Sequence, residues 1–293
     1  MELIRNFGPA YHSSLSPDGR RLLRERQSKA YIHDVASGEE IGVIPTGSNG
    51  SCAALLADGS LLADRSHSST RRVFDVADGS VRWKGRPKGK LYRSHEKDLV
   101  LAVDGTTLLE PIKLASGTTR IDLVDGLTGE VAMFERPSSR ILDLRPAIGE
   151  DRLLLLEELA SREHLLSWFD PRTGESETIP IDLSQLPHGP ARALWDPHAR
   201  AVIIAGLWDH VVHTGTGRQI DDLSSTPALS PDGHLLAAGG NEGRIRILDA
   251  HTFEVRDEFP AEGLVHNPTF TPDGKELLIT AENRAHLYRL DAV

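Results

Sequence analysis

Residues Ser230–Phe259 read SPDGHLLAAGGNEGRIRILDAHTFEVRDEF. The opening Ser230-Pro231-Asp232-Gly233 is a turn with a mechanism. Proline presets φ, aspartate bonds the local backbone and glycine accepts a positive φ. HLLAAGG follows, a short apolar run suited to a strand buried on both faces. Asn241-Glu242-Gly243 reverses the chain. Arg244–Asp249 then alternates polar and apolar, the period of a half-buried strand. Asp249 closes that strand, and Asp-Ala-His-Thr-Phe leads into an outer strand, Glu254–Phe259. With the strand before Ser230, the unit is a four-stranded antiparallel sheet, its strands named a to d from inside to outside.

The punctuation recurs along the chain. Turns between strands a and b are expected at Ser16–Gly19, Leu56–Gly59, Glu96–Asp98, Ile148–Asp151, Asp196–Ala199, Ser230–Gly233 and Thr271–Gly274. Strand c is expected to close on Asp34, Asp75, Asp125, Asp170, Asp249 and Asp291. The c–d turns read DVASG, DVADG, DGLTG, DPRTG and, from His213, HTGTG. A turn about every 40 residues is the period of propeller blades. The expectation is an all-β chain: a single seven-bladed β-propeller of four-stranded antiparallel blades. The approximate blades are 9–44, 51–85, 90–136, 139–183, 190–223, 225–259 and 264–293, within one domain spanning 1–293. The last unit stops after strand c. Residues Glu2–Phe7 are expected to supply its outer strand, closing the ring and covering an edge.

These repeats resemble WD-repeat and YVTN-type β-propellers, over essentially the whole chain. The resemblance implies the propeller fold and leaves function open. The tryptophan of the WD pair is replaced by His33, Phe74, Val124, Phe169, Leu248 and Leu290, so that family's buried Asp-His-Ser-Trp network is expected to be absent. Blade two, VFDVADGSVRWKG, also looks like a quinoprotein propeller repeat, through Gly79 and Trp83.

Composition bounds the function. The 293 residues carry 33 basic and 43 acidic side chains, a net charge of −10. An acidic surface argues against general binding to nucleic acid or to anionic membrane. One cysteine, Cys52, excludes an internal disulfide. No signal-peptide core and no membrane-length apolar run is present, which points to a cytoplasmic protein. The excess of Arg over Lys, with abundant Ala, Leu and Gly, suggests a bacterial gene.

Strands alternate in direction, so b–c loops and d–a connections emerge on one face, and a–b and c–d turns on the other. The longer elements of blades two to five are expected on the first face. These are Arg82–Lys90, an extra segment Thr106–Thr118 containing Lys113, the loop Glu157–His164 with Glu157, Glu158, Arg162 and His164, the connection through His188, and the turn bearing Trp208, Asp209 and His210. Loops on a rigid scaffold are where binding residues concentrate.

Arg82, Lys84, Arg86, Lys88 and Lys90 fall at every second residue and would line one side of an extended strand. They reverse the sign of the chain locally, which suits an acidic peptide, a phosphate group or a nucleic-acid backbone. The competing reading is that basic residues guard an exposed sheet edge. Among 13 histidines the closest pair is His210 and His213, which point to opposite faces of a strand. No metal-ligand, nucleophile or phosphate-loop motif is present, so no catalytic residue, metal or cofactor is expected. The expected function is a non-catalytic scaffold or adapter whose partner is another protein or peptide, an acidic one by charge. The alternative is a metal-assisted hydrolase or lactonase, needing three acidic, amide or imidazole side chains at the central channel. His266, Asn267, Asn241, Glu242, Asn283 and Asp209 are the residues considered for it.

Overall fold

In the computed structural model, the described residues are 2–46, 52–66, 70–89, 100–102, 104–136, 139–183, 189–206, 209–223, 227–240, 243–261 and 263–290, save the side chains of Asp209 and Asp222. They form strands and turns, with no helix among them. Blade one pairs His12–Leu15, Arg21–Arg26, Lys29–Asp34 and Glu40–Pro45 in that order. Blade two pairs Cys52–Leu56, Leu61–Arg65, Arg71–Asp75 and Val81–Gly85. Blade three pairs Val100–Leu101, Thr107–Lys113, Thr119–Asp125 and Val131–Arg136. Blade four pairs Ser139–Pro146, Leu153–Leu159, His164–Phe169 and Ser176–Thr178. Blade five pairs Pro190–Asp196, Ala201–Gly206, Asp209–His213 and Arg218–Leu223. Blade six pairs Ala228–Leu229, Leu235–Gly240, Arg244–Asp249 and Val255–Pro260. A single bridge, Leu223 to Gly240, joins the sheets of blades five and six.

Blade seven closes the ring. Its inner strands are Val265–Phe270, Glu276–Ala281 and Arg284–Arg289, and its outer strand is the N-terminal Glu2–Pro9. Glu2 pairs with Arg289 and Pro9 with Arg284 in antiparallel register, as the missing outer strand predicted.

The core lies between blades rather than within them. Seven apolar clusters each draw on two neighbouring blades, such as Leu23, Ile32, Leu55 and Phe74 between blades one and two. Strands b and c therefore carry apolar residues on both faces of each sheet. Strand b of blade six is buried from Leu236 to Gly240. The outer strand Val255–Pro260 alternates between exposed and half-buried residues, as an edge does.

The turns are held as the sequence implied. Ser230 Oγ donates to Asp232 Oδ1 at 2.6 Å and accepts the Leu235 amide at 2.8 Å. Ser16 and Thr271 repeat this arrangement with Asp18 and Asp273. In the c–d turns, Asp34, Asp125 and Asp249 accept amides two or three residues ahead. Most of these turns place glycine at positive φ, and at Gly174 a Cβ would meet Phe134 at 2.2 Å. Blade six has Phe253 there instead, at φ 58° and buried, its own ring filling the space beside blade five.

Blades three and four depart from expectation in one way. The turn expected at Glu96–Asp98 lies outside the described residues. The a–b turn is Ala102–Gly105, where the Gly105 amide donates to Ala102 O at 3.0 Å. Thr106–Thr118 is not an insertion: it is strand b, Thr107–Lys113, with its turn into strand c. Likewise strand b of blade four continues through Glu157 to Leu159, and its loop shrinks to Ala160–Glu163. The cause is the same in both. A carboxylate inside the strand, Glu110 or Glu157, reads as loop, yet each is buried because an arginine pairs with it.

Candidate functional site

The basic stripe starts on the outer edge of blade two. Within strand Val81–Gly85, Arg82 and Lys84 are exposed. Trp83 between them turns inward and donates its Nε1–H to Gly126 O at 2.9 Å. The strand ends at Gly85, so Arg86 and Lys88 do not continue its alternation. They belong to the d–a connection and are exposed. Arg86 Nε donates to Thr70 Oγ1 at 3.2 Å, and Lys88 O accepts from Arg120 Nη1 at 3.1 Å. The connection is thereby tied to its own b–c loop and to blade three. Lys90 lies outside the described residues.

Beneath this connection lies a buried ionic network. Arg71 Nε donates to Glu110 Oε2 at 2.8 Å, and Arg71 Nη2 donates to Asp122. Arg120 reaches the same Asp122 through Nε and Nη2. All four residues are buried, and Arg65 stands 4.0 Å from Glu110. Two carboxylates thus hold three arginines, and Arg120 passes the hold on to Lys88. Sequence reasoning missed this network, because alternate charges in a strand look like a solvated face.

The other predicted residues fall on neighbouring blades of the same face. Lys113 ends strand b of blade three and is half-buried. Glu158 pairs with Arg140 at 3.5 Å, Arg162 is exposed in the blade-four hairpin at φ 68°, and His164 begins strand c. Glu157 does not belong to the surface. It is buried, bonded to Arg136 Nε at 3.1 Å and Nη2 at 2.6 Å and to Ser139 Oγ at 2.6 Å. His210 stands in blade five, its Nδ1 3.1 Å from Asp221 Oδ1. His188, Trp208 and the Asp209 side chain lie outside what the structure describes. The described surface residues therefore form an arc over blades two, three and four, with His210 one blade further.

The central channel, about 400 Å³, is walled by the a strands. Of the residues weighed for a hydrolase, Asn267 lines it. His12 adds an imidazole, and the charged side chains on the wall are Arg145 and Arg192. No carboxylate lines the channel among the described residues. The three-ligand convergence that a metal-assisted hydrolase needs is not assembled from these residues.

On the opposite face, Asp196, His213 and His251 bring ligand-type atoms within 4.8 Å of one another. The hydrogen bonds argue against reading this as a metal site. His213 Nδ1 accepts the Gly215 and Thr216 amides at 3.1 and 3.3 Å, so its proton sits on Nε2. That proton points at Asp196 Oδ2, 2.9 Å away. His213 thus takes the place of the aspartate that caps c–d turns elsewhere. Burial pushes the Asp196 carboxyl up, but the His213 ring and the Ala199 and His198 amides outweigh it and hold the group below its ordinary range. His198 and His234 stack on the same face with centroids 4.0 Å apart.

No protein-family model matches the chain, and no curated protein matches it by sequence. Its backbone is similar to a solved structure, the Cps50 (Swd1) β-propeller domain of Myceliophteria thermophila. The superposition has a TM-score of 0.70 and covers 99% of each chain at 13% identity. The fold is a seven-bladed β-propeller. At that identity the propeller likeness concerns the backbone, and the side chains of the arc are this chain's own.

Proposed function

We propose that this propeller is a non-catalytic interaction scaffold that docks an acidic protein or peptide on the b–c and d–a face over blades two to four. The observation that carries the reading is the exposed set Arg82, Lys84, Arg86 and Lys88, in a chain of net charge −10, with its connection fixed from below by Arg120. Arg162 and His164 extend the surface into blade four. A rigid ring loses little conformational entropy on binding, so fixed loops suit the task. Charge supplies orientation and on-rate, and a few desolvated anchors supply affinity. The setting that fits is the cytoplasm of a bacterial cell.

The test is affinity purification of tagged protein from its native host beside an Arg82/Lys84/Arg86/Lys88→Glu variant. A stoichiometric acidic partner, weakened by salt and lost in the variant, is expected. A partner retained equally by the variant would remove the basic arc from the account.

A further inference from the structure

The central channel has a chemistry that the docking reading does not use. Small and apolar residues dominate the a strands of blades two, three and six: CAALL, VL and AL. Blades four and five instead place Arg145 and Arg192 on the channel wall, and blade one places His12 there. The balancing carboxylates stand behind the wall. Asp143 receives Arg145 Nε at 3.0 Å and is itself fixed by the Ala193 amide at 3.2 Å. Glu25 stands 3.5 Å from His12 Nδ1.

Arg145 is therefore gripped at Nε, across the junction of blades four and five. Its two terminal nitrogens make no hydrogen bond with the described residues, and they belong to a side chain on the channel wall. A second polar group on the wall is also unmatched: the Ser14 hydroxyl is buried without a hydrogen-bond partner. A buried hydroxyl left unmatched is unfavourable. A guanidinium fixed on one edge, with its other donors open, is half of an oxyanion site. The channel volume is within the range of small-ligand pockets.

The geometry points to the central channel as a binding site for an oxyanion, with Arg145 as its principal donor, Arg192 supplying further positive charge and His12 an imidazole on the same wall. The oxyanion is a phosphate or carboxylate, carried by a free small molecule or by the tip of an acidic side chain. This inference stands apart from the docking arc, which lies on the blades' outer edge and loops.

The test is a titration of the intact protein with inorganic phosphate and, separately, with a tetraglutamate peptide. It is followed by the ring resonances of His12, with His198 and His234 on the opposite face as internal references. A saturable shift at His12, absent from the two references, is expected with phosphate. The same shift with the peptide assigns the side-chain source, and its absence assigns the free anion. Arg145→Gln is expected to weaken binding roughly 10-fold or more, the loss typical of a charge-assisted hydrogen bond. Arg82→Glu with Lys84→Glu is expected to leave it unchanged. Should Arg145→Gln fail to fold, the titration of the unaltered protein decides. No His12 shift with either probe up to about 50 mM, far above a millimolar Kd, would overturn the proposal. So would a shift shared equally by His12, His198 and His234.

Discussion

Two blade interfaces of the same ring are built on opposite principles. Between blades six and seven, Ala237, Ile245, Ile247, Val265, Leu277 and Ile279 form an apolar layer. Between blades two and three, Leu56, Ala63, Val73, Leu108 and Val124 pack toward the a–b turns. Toward the b–c loops the same interface holds Arg71, Glu110, Arg120 and Asp122. Apolar burial is non-directional, whereas a guanidinium–carboxylate fork has one geometry. Charge here adds no stability that well-packed leucines would lack. What it adds is a fixed position for Lys88 and the basic connection around it.

The contrast is sharpest if one member of each interface is removed. Asp122→Ala leaves Arg71 and Arg120 buried without their shared carboxylate and is expected to destabilise by about 3–5 kcal/mol. Ile247→Val in the apolar interface is expected to lose about 0.5–1.5 kcal/mol. Urea denaturation of both variants checks the order, and equal losses would break the comparison. Next, His213→Ala removes the acceptor of two amides and the imidazole donor to Asp196, which keeps only the His198 and Ala199 amides, a loss of about 2–3 kcal/mol. A loss below about 1 kcal/mol would show that the turn re-forms without its imidazole.

Phe253 gives a smaller and more diagnostic effect. Both Phe253→Ala and Phe253→Gly lose the ring, but only glycine relieves the positive φ. The glycine variant is expected to be the more stable of the two by about 1 kcal/mol, read from their thermal midpoints. The reverse order would deny the strain.

The least effect comes from acid. Burial would raise the Asp249 carboxyl, but the Arg256 guanidinium, the Thr252 amide and hydroxyl and the His251 amide bring it down to about 2. A depressed folded-state value means that the contribution is present above the ordinary carboxylate range and is lost as pH falls through about 2. Asp249 is half-buried and Arg256 is exposed, so solvent still screens the pair and the contribution is modest. Arg256→Gln is expected to lower stability slightly at neutral pH, the gap to the unaltered protein closing as pH falls through the carboxylate range, and to move the acid-unfolding midpoint slightly upward.

The repeat was legible because its punctuation is local chemistry. Ser230, Asp232 and Gly233 make their bonds within six residues of chain, so neighbours in sequence suffice to read them. The same holds for the unpaired last blade, whose partner strand at Glu2–Pro9 follows from an edge that needs covering. What escaped were residues whose partners are distant in sequence. Glu110 and Glu157 broke the apolar pattern of strand b and read as loop, since Arg71 lies 39 residues from Glu110. The blade-three turn carries its own local signal, Asp104-Gly105, the same Asp-Gly pair as Asp232-Gly233. Arg145 and Arg192 were readable in principle. A charge in an inner strand has nowhere to go but the channel or a neighbour's carboxylate.

The most direct test of the scaffold account is hydrogen–deuterium exchange on the propeller with and without its captured partner. The account predicts added protection over 81–89 and 160–164, on adjacent blades of one face, with the Ser16, Ser230 and Thr271 turns unchanged. Protection confined to those turns, or none at 81–89, would contradict it.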